Sequence, residues 1–193
     1  MGTKGSANKQ RIVDAADRLF YSRGYNQTSF SDISDETGIP RGNFYYYFKT
    51  KEEILAAVVE SRLGIFRAML DQCEAGSEDP RQRLLALAGM PVHNETQVLQ
   101  YGCPIGSLST ELVKEQDQEI SIAKLTAVFD LLRDWCVEQF NALGLSHKAD
   151  DYALDLLAKM QGITLIASVY HDAAFLHRAT DDVKSWLIQA TSN

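Results

Sequence analysis

The stretch TSFSDISDETGIPRGNFYYYFKTKEEI, residues 28–54, constrains this chain more than any other. It reads as two short helices joined by a tight turn at Thr37-Gly38-Ile39. Ser29 or Ser31 can cap the first, and Gly38 ends it. The second spans residues 40–48, with Pro40 in the first turn, where its missing N–H costs least. This is the layout of a helix-turn-helix. Helical spacing puts Phe44 and Phe48, four apart, on an inward face with Ile33 and Ile39. Arg41, Gly42, Tyr45 and Tyr46 fall on the opposite face. An exposed face of that composition makes little sense as core and good sense in a major groove.

The residue types fit that use one by one. Arg41 can donate a bidentate pair to guanine or hold a phosphate. Gly42 lets the backbone approach closely, having no side chain. Asn43 can reach a base edge or a phosphate. Tyr45, Tyr46 and Tyr47 offer hydroxyls to phosphates and ring edges to thymine methyls. Lys51 opens the next helix, where its ammonium and the unpaired N–H groups both favour phosphate. Ser29 and Ser31, at the opening of the first short helix, can do the same.

The rest of the chain is helical in period, with proline scarce and strand-type alternation nearly absent. An opening helix over residues 7–23 buries Ile12, Ala15, Ala16, Leu19 and Phe20, and stops at Gly24. A long helix follows from Lys51 to about Cys73. Asp79-Pro80 starts another, running to Gly89. The segment GMPVHNETQVLQYGCP reads as irregular, having Gly and Pro at both ends. Helices are then expected over residues 107–116, 121–143, 149–171 and 181–190, the last capped by Thr180 or Asp181. The fold class is therefore all-α: a three-helix DNA-binding head over residues 1–51, and a larger helical domain over residues 52–193. Charge agrees. Residues 1–51 hold eight Lys and Arg against five acids, a net of +3; the chain totals −7, so the remainder carries −10. A basic head on an acidic body suits a protein that presents one end to phosphate.

The stretch G-I-P-R-G-N-F-Y-Y-Y-F-K-T-K-E-E-I resembles the recognition-helix signature of the TetR family. So does the approach to it, A-A-D-R-L-F-Y-S-R-G-Y-N-Q-T-S-F-S-D-I. The likeness is dense over residues 12–55. It departs at Pro40, where a small polar cap is usual, and at Tyr47, where His is common. The resemblance implies an all-α homodimer whose head binds half of a double-stranded DNA operator and whose larger domain dimerises and holds a small-molecule effector. Repression is the commoner sign in that family. The helices over residues 149–171 and 181–190 match the places where the family builds its dimer interface. Y-G-C-P-I-G-S-L-S-T-E-L resembles a G-C-x-x-G-x-L stretch of one branch, some members of which answer to electrophiles or oxidants through a cysteine. Cys103 is thus a candidate sensor thiol; a small buried residue at a helix start is the other reading.

The effector site is barely legible. Phe66, Met69, Tyr101, Cys103, Phe129, Leu132, Trp135 and Tyr170 are candidates to line it, although each residue type is also ordinary core. Cys73, Cys103 and Cys136 show no C-x-x-C spacing, and His93, His147, His171 and His177 show no metal-ligand spacing, so no metal or cofactor is expected. No P-loop, G-x-G-x-x-G or G-x-S-x-G motif is present, and no catalytic residue is assigned. The polar start MGTKGSANKQ lacks the apolar core of a signal peptide, and no apolar run long enough for a membrane span stands out. A cytoplasmic protein is the expectation. A helical adaptor using the tyrosine-rich face to grip another protein is the competing reading.

Overall fold

A computed structural model describes residues 3–113 and 119–192 of the chain. Among them the order is α1 (Thr3–Arg23), α2 (Phe30–Thr37), α3 (Arg41–Tyr47), α4 (Lys51–Gly76), α5 (Pro80–Ala88), α6 (Met90–His93), α7 (Glu95–Tyr101), α8 (Pro104–Leu112), α9 (Glu119–Ala142), α10 (Ala149–Tyr170) and α11 (Ala173–Ala190). No strand occurs among the described residues.

The helices fall into two compact units, residues 1–64 with 107–127, and residues 65–106 with 128–193. The first begins with α1, which opens four residues ahead of the expected Ala7. Its stripe Ile12, Ala15, Ala16, Leu19 and Phe20 is buried as the period requires. Also buried inside the unit are Ile33, Ile39, Phe44, Phe48, Ile54, Leu55 and Val58. Burying a side chain of this size stabilises by about 1.5–3 kcal/mol. Arg62 of α4 is buried to 6% exposure. Its guanidinium meets the Asp17 carboxylate at 2.5 Å and lies 5.3 Å over the Tyr21 ring, tying α4 to α1. Leu108 and Leu112 of α8 are buried in the same unit.

The second unit gathers Leu70, Leu84, Leu87, Leu132, Trp135, Phe140, Leu156 and Leu187 into one core. A smaller cluster of Val98, Ala167 and Leu176 lies under α7. Here two expectations are corrected. The segment from Gly89 to Pro104 is not irregular but carries α6 and α7. Pro91 sits in the first turn of α6, where no N–H is needed. Asn94 separates the two helices, and burial of Val98 holds α7. The last helix starts at Ala173 rather than near Asp181. Asp172 is its cap, accepting from the Phe175 N–H at 2.8 Å, and Thr180 is a buried mid-helix residue. The helix expected over residues 107–116 begins earlier, at Pro104; its last three residues lie outside the described residues. By length and composition alone α10 has an apolar stretch that could cross a membrane. Its Ala153, Leu156, Leu157, Thr164 and Ala167 are buried within the unit.

Candidate nucleic-acid interface

The first unit builds its outer surface on two hydrogen-bonded ends. Ser29 caps α2: its hydroxyl accepts from the Asp32 N–H at 3.2 Å, while the Asp32 carboxylate accepts from the Ser29 N–H at 2.7 Å and hydroxyl at 2.6 Å. This reciprocal box satisfies helix-start donors that would otherwise lack partners. The Ser29 hydroxyl, then the Ser29 backbone N–H, hold the Asp32 carboxyl below its ordinary value of 3.8. At the other end Gly38 takes a left-handed φ of 64°, which a side chain would strain. The turn is then locked by side chains. Thr37 donates to the Ser34 carbonyl, the Ile39 N–H donates to the Thr37 hydroxyl, and Ser34 donates to the Ile39 carbonyl at 2.8 Å. Arg11 of α1 donates to the Thr37 carbonyl at 2.7 Å.

That turn delivers α3 with a fixed rotation. Phe44 and Phe48 are buried, and Phe44 meets Phe30 edge-on with ring centres 5.8 Å apart. Gly42, Asn43, Tyr45 and Tyr46 are exposed, Tyr45 to 54% and Tyr46 to 73%. Tyr45 is braced as well as exposed: its ring stacks on Phe30 at 5.8 Å, and its carbonyl accepts from the Lys49 ammonium. Tyr46 packs edge-on against Tyr47 at 5.2 Å. Tyr47 is half-buried, and its hydroxyl accepts from the Asn8 amide at 3.3 Å. A Cβ added at Gly42 would meet no other atom within 4 Å. The backbone of Arg41 opens α3, and its side chain lies outside the described residues.

Ser29 is exposed beside this face and Ser31 is half-buried. Lys51 points elsewhere. Its ammonium donates to the Tyr25 and Thr28 carbonyls at 3.0 and 3.2 Å and sits 4.0 Å over the Tyr25 ring. Sequence reasoning missed Phe30 as the brace of Tyr45, and missed Asn8 altogether. A four-residue spacing does not expose a pairing between Asn8 and Tyr47, thirty-nine positions apart.

In the second unit the eight effector candidates are scattered by burial. Leu132 and Trp135 are buried, and the Trp135 indole N–H donates to Glu74 at 2.7 Å. Phe66 and Met69 are half-buried against the same core. Tyr101, Cys103 and Phe129 are half-buried, whereas Tyr170 is exposed at the end of α10. A hollow of about 370 Å³ runs between α10 and α11, lined by Ile163, Ile166, Phe175, Val183 and Trp186 among others. Another of about 340 Å³ lies by Gln72, Cys73 and Gln82. Neither holds any of the eight.

The G-C-x-x-G stretch has a local explanation. Gly102 adopts φ 72° and ψ −152°, a conformation glycine accepts readily. The Cys103 sulfur accepts from the Gly106 N–H at 3.4 Å and the Gln161 amide at 3.3 Å. A Cβ at Gly106 would collide with the Gln161 carbonyl oxygen. Cys136 differs: burial, then the neighbouring Cys73, push its thiol up to about 12. Burial, then Glu74, raise Cys73.

Comparison with known proteins agrees with the geometry. The family model described as bacterial regulatory proteins, tetR family, matches residues 12–58. An uncharacterized HTH-type transcriptional regulator in the lacX 3′ region of Lactococcus lactis subsp. lactis is 32% identical over 181 residues, covering 92% of this chain and 91% of that protein. An uncharacterized HTH-type transcriptional regulator of Mycobacterium tuberculosis is 31% identical over 176 residues, covering 85% and 86%. The fold is shared with a TetR transcriptional regulator from Chloroflexus aurantiacus, at 24% identity, a TM-score of 0.84, and coverage of 97% and 98%. The chain belongs to the TetR family of bacterial transcriptional regulators, with a helix-turn-helix DNA-binding domain.

Proposed function

We propose that the protein is a ligand-responsive repressor that binds a double-stranded operator as a homodimer and is released by a small molecule or a reactive electrophile. The observation that carries the DNA-reading part is the outer face of α3. Gly42, Asn43, Tyr45 and Tyr46 stand exposed there, opposite buried Phe44 and Phe48. In this reading Arg41, Asn43 and Tyr46 reach base edges, while Ser29, Ser31, Tyr45 and Tyr47 hold phosphates. Gly42 fits a close backbone approach, since no atom of the protein itself occupies the space its side chain would fill. Lys51 acts in this assignment through the start of α4, with its ammonium steadying the turn before Ser29.

Dimerisation is assigned to α10 and α11. Leu154, Leu165, Ile166, Val169, Tyr170 and Ile188 are apolar and exposed there, the kind of surface a second copy covers. Two recognition helices then enter successive major grooves when about 34–36 Å apart. An effector held among Phe66, Met69, Tyr101, Cys103, Phe129, Leu132, Trp135 and Tyr170 releases DNA if it binds better to another spacing. Residues 1–51 read DNA, residues 52–193 sense and dimerise, and the protein works in the cytoplasm. The test is a gel-shift titration on genomic fragments captured by the full-length protein. Affinity that falls steeply with salt supports the assignment. A salt-insensitive protein partner, with no fragment enriched, overturns it in favour of an adaptor.

A further inference from the structure

We propose that Lys9 of α1 is a DNA-phosphate contact lying outside the helix-turn-helix segment; the proposal rests on the DNA-reading face assigned above. The first turns of α1 lie along the C-terminal end of α3. The Asn8 amide donates to the Tyr47 hydroxyl at 3.3 Å, and the Lys9 ammonium sits 5.4 Å from the centre of the Phe48 ring. Lys9 is exposed, and among the described residues its ammonium has no acidic partner and no hydrogen-bond acceptor.

Of the six other described cations of this unit five are engaged, while the sixth, exposed Arg23, acts on the Asp32 carboxylate through charge alone. Arg11 donates to the Thr37 carbonyl, Arg18 pairs with Glu36, and Arg62 pairs with Asp17. Lys49 donates to Tyr45, and Lys51 to Tyr25 and Thr28. Lys9 therefore offers all three donors to a ligand, from a position beside an aromatic ring rather than beside an anion. A helix lying in the major groove has a phosphate strand along each wall. With Gly42, Asn43 and Tyr46 facing the bases, the end of α3 marked by Tyr47 and Phe48 faces one such wall, and Lys9 stands beside it. The chemistry recognised is a backbone phosphodiester, independent of base identity.

The experiment measures affinity against salt for a labelled duplex selected from a random-sequence library by the full-length protein. Each phosphate contact contributes about 0.9 to the slope of log affinity against log salt. Lys9→Gln is expected to reduce the slope by about 0.9 for every Lys9 in the bound assembly. Between 50 and 200 mM salt, its affinity deficit then shrinks by about 3.5-fold per Lys9. Discrimination between the selected duplex and a scrambled one stays as in the parent. Lys9→Arg restores the slope. Arg67→Gln, which removes the same charge from the exposed surface of the second unit, leaves it unchanged. If the library yields no enriched duplex, the DNA-reading face itself fails. If a duplex is enriched and Lys9→Gln keeps the parental slope, or Arg67→Gln lowers it equally, the Lys9 contact is refuted while the reading face stands.

Discussion

Gly42→Ala separates folding from DNA reading, because the two should move in opposite directions. Gly42 lies inside α3 and is exposed, and a Cβ there meets nothing within 4 Å. The methyl group therefore has no internal clash to relieve. Alanine narrows the unfolded ensemble and favours helix, which stabilises by about 0.4–1 kcal/mol. For a chain of this size that raises Tm by about 1–4 °C. On DNA the same methyl projects from the face carrying Asn43 and Tyr46. Forcing it into a close-packed boundary costs about 1–3 kcal/mol, roughly 5- to 150-fold in affinity. The assay is thermal unfolding beside fluorescence anisotropy on one selected duplex. A variant with raised Tm and weakened binding fits the reasoning. One that binds as tightly as the parent refutes it, since the space beside Gly42 would then be empty in the complex too.

Other outcomes follow from the same geometry. Arg41→Ala is expected to abolish specific binding in a gel-shift titration while sedimentation shows the assembly state unchanged. Ser29→Ala removes the cap of α2 and is expected to destabilise by about 0.5–2 kcal/mol in denaturant titration. The depressed Asp32 carboxyl contributes stability that is present above its ordinary value of 3.8 and lost as pH falls through the lower folded value. In the acid range Asp32→Asn should flatten that loss relative to the parent. Among the thiols, Cys103 is half-buried, whereas Cys136 is fully buried and pushed up to about 12. Alkylation at neutral pH followed by peptide mass spectrometry should therefore mark Cys103 well before Cys136. Cys103→Ser should remove any release of DNA by a thiol-reactive compound, and release that persists rules the sensor role out.

The head was legible because its punctuation is local. Gly24 and Gly38 require positive φ, Ser29 carries its own cap partner three residues on, and Phe44 and Phe48 share one helical face. Each signal lies within one or two turns of the residue it explains. The loss of legibility begins where the controlling contact is distant. Gly and Pro around Met90 look like loop, yet burial of Val98 against Ala167 and Leu176 sustains α7. Asp172, the cap of α11, directly follows His171, whose positive φ ends α10, so no run of turn residues announces the break between the two helices. The effector site was the least readable part. Phe66, Met69, Leu132 and Trp135 belong with the core of their unit, and a helical period marks burial without distinguishing core from cavity wall.

The turn between α2 and α3 is held by Ser34, Thr37, Ile39 and Arg11, and the inner side of α3 by Phe44 and Phe48. Neither set includes Gly42, Asn43 or Tyr46. The positions that would choose a DNA sequence are thus largely uncoupled from those that hold the fold. Substitutions among them can accumulate with little effect on stability, so duplicated copies of such a gene can diverge in the promoters they address while remaining foldable at every step. A specificity library confined to these three positions should retain folded protein in most of its members.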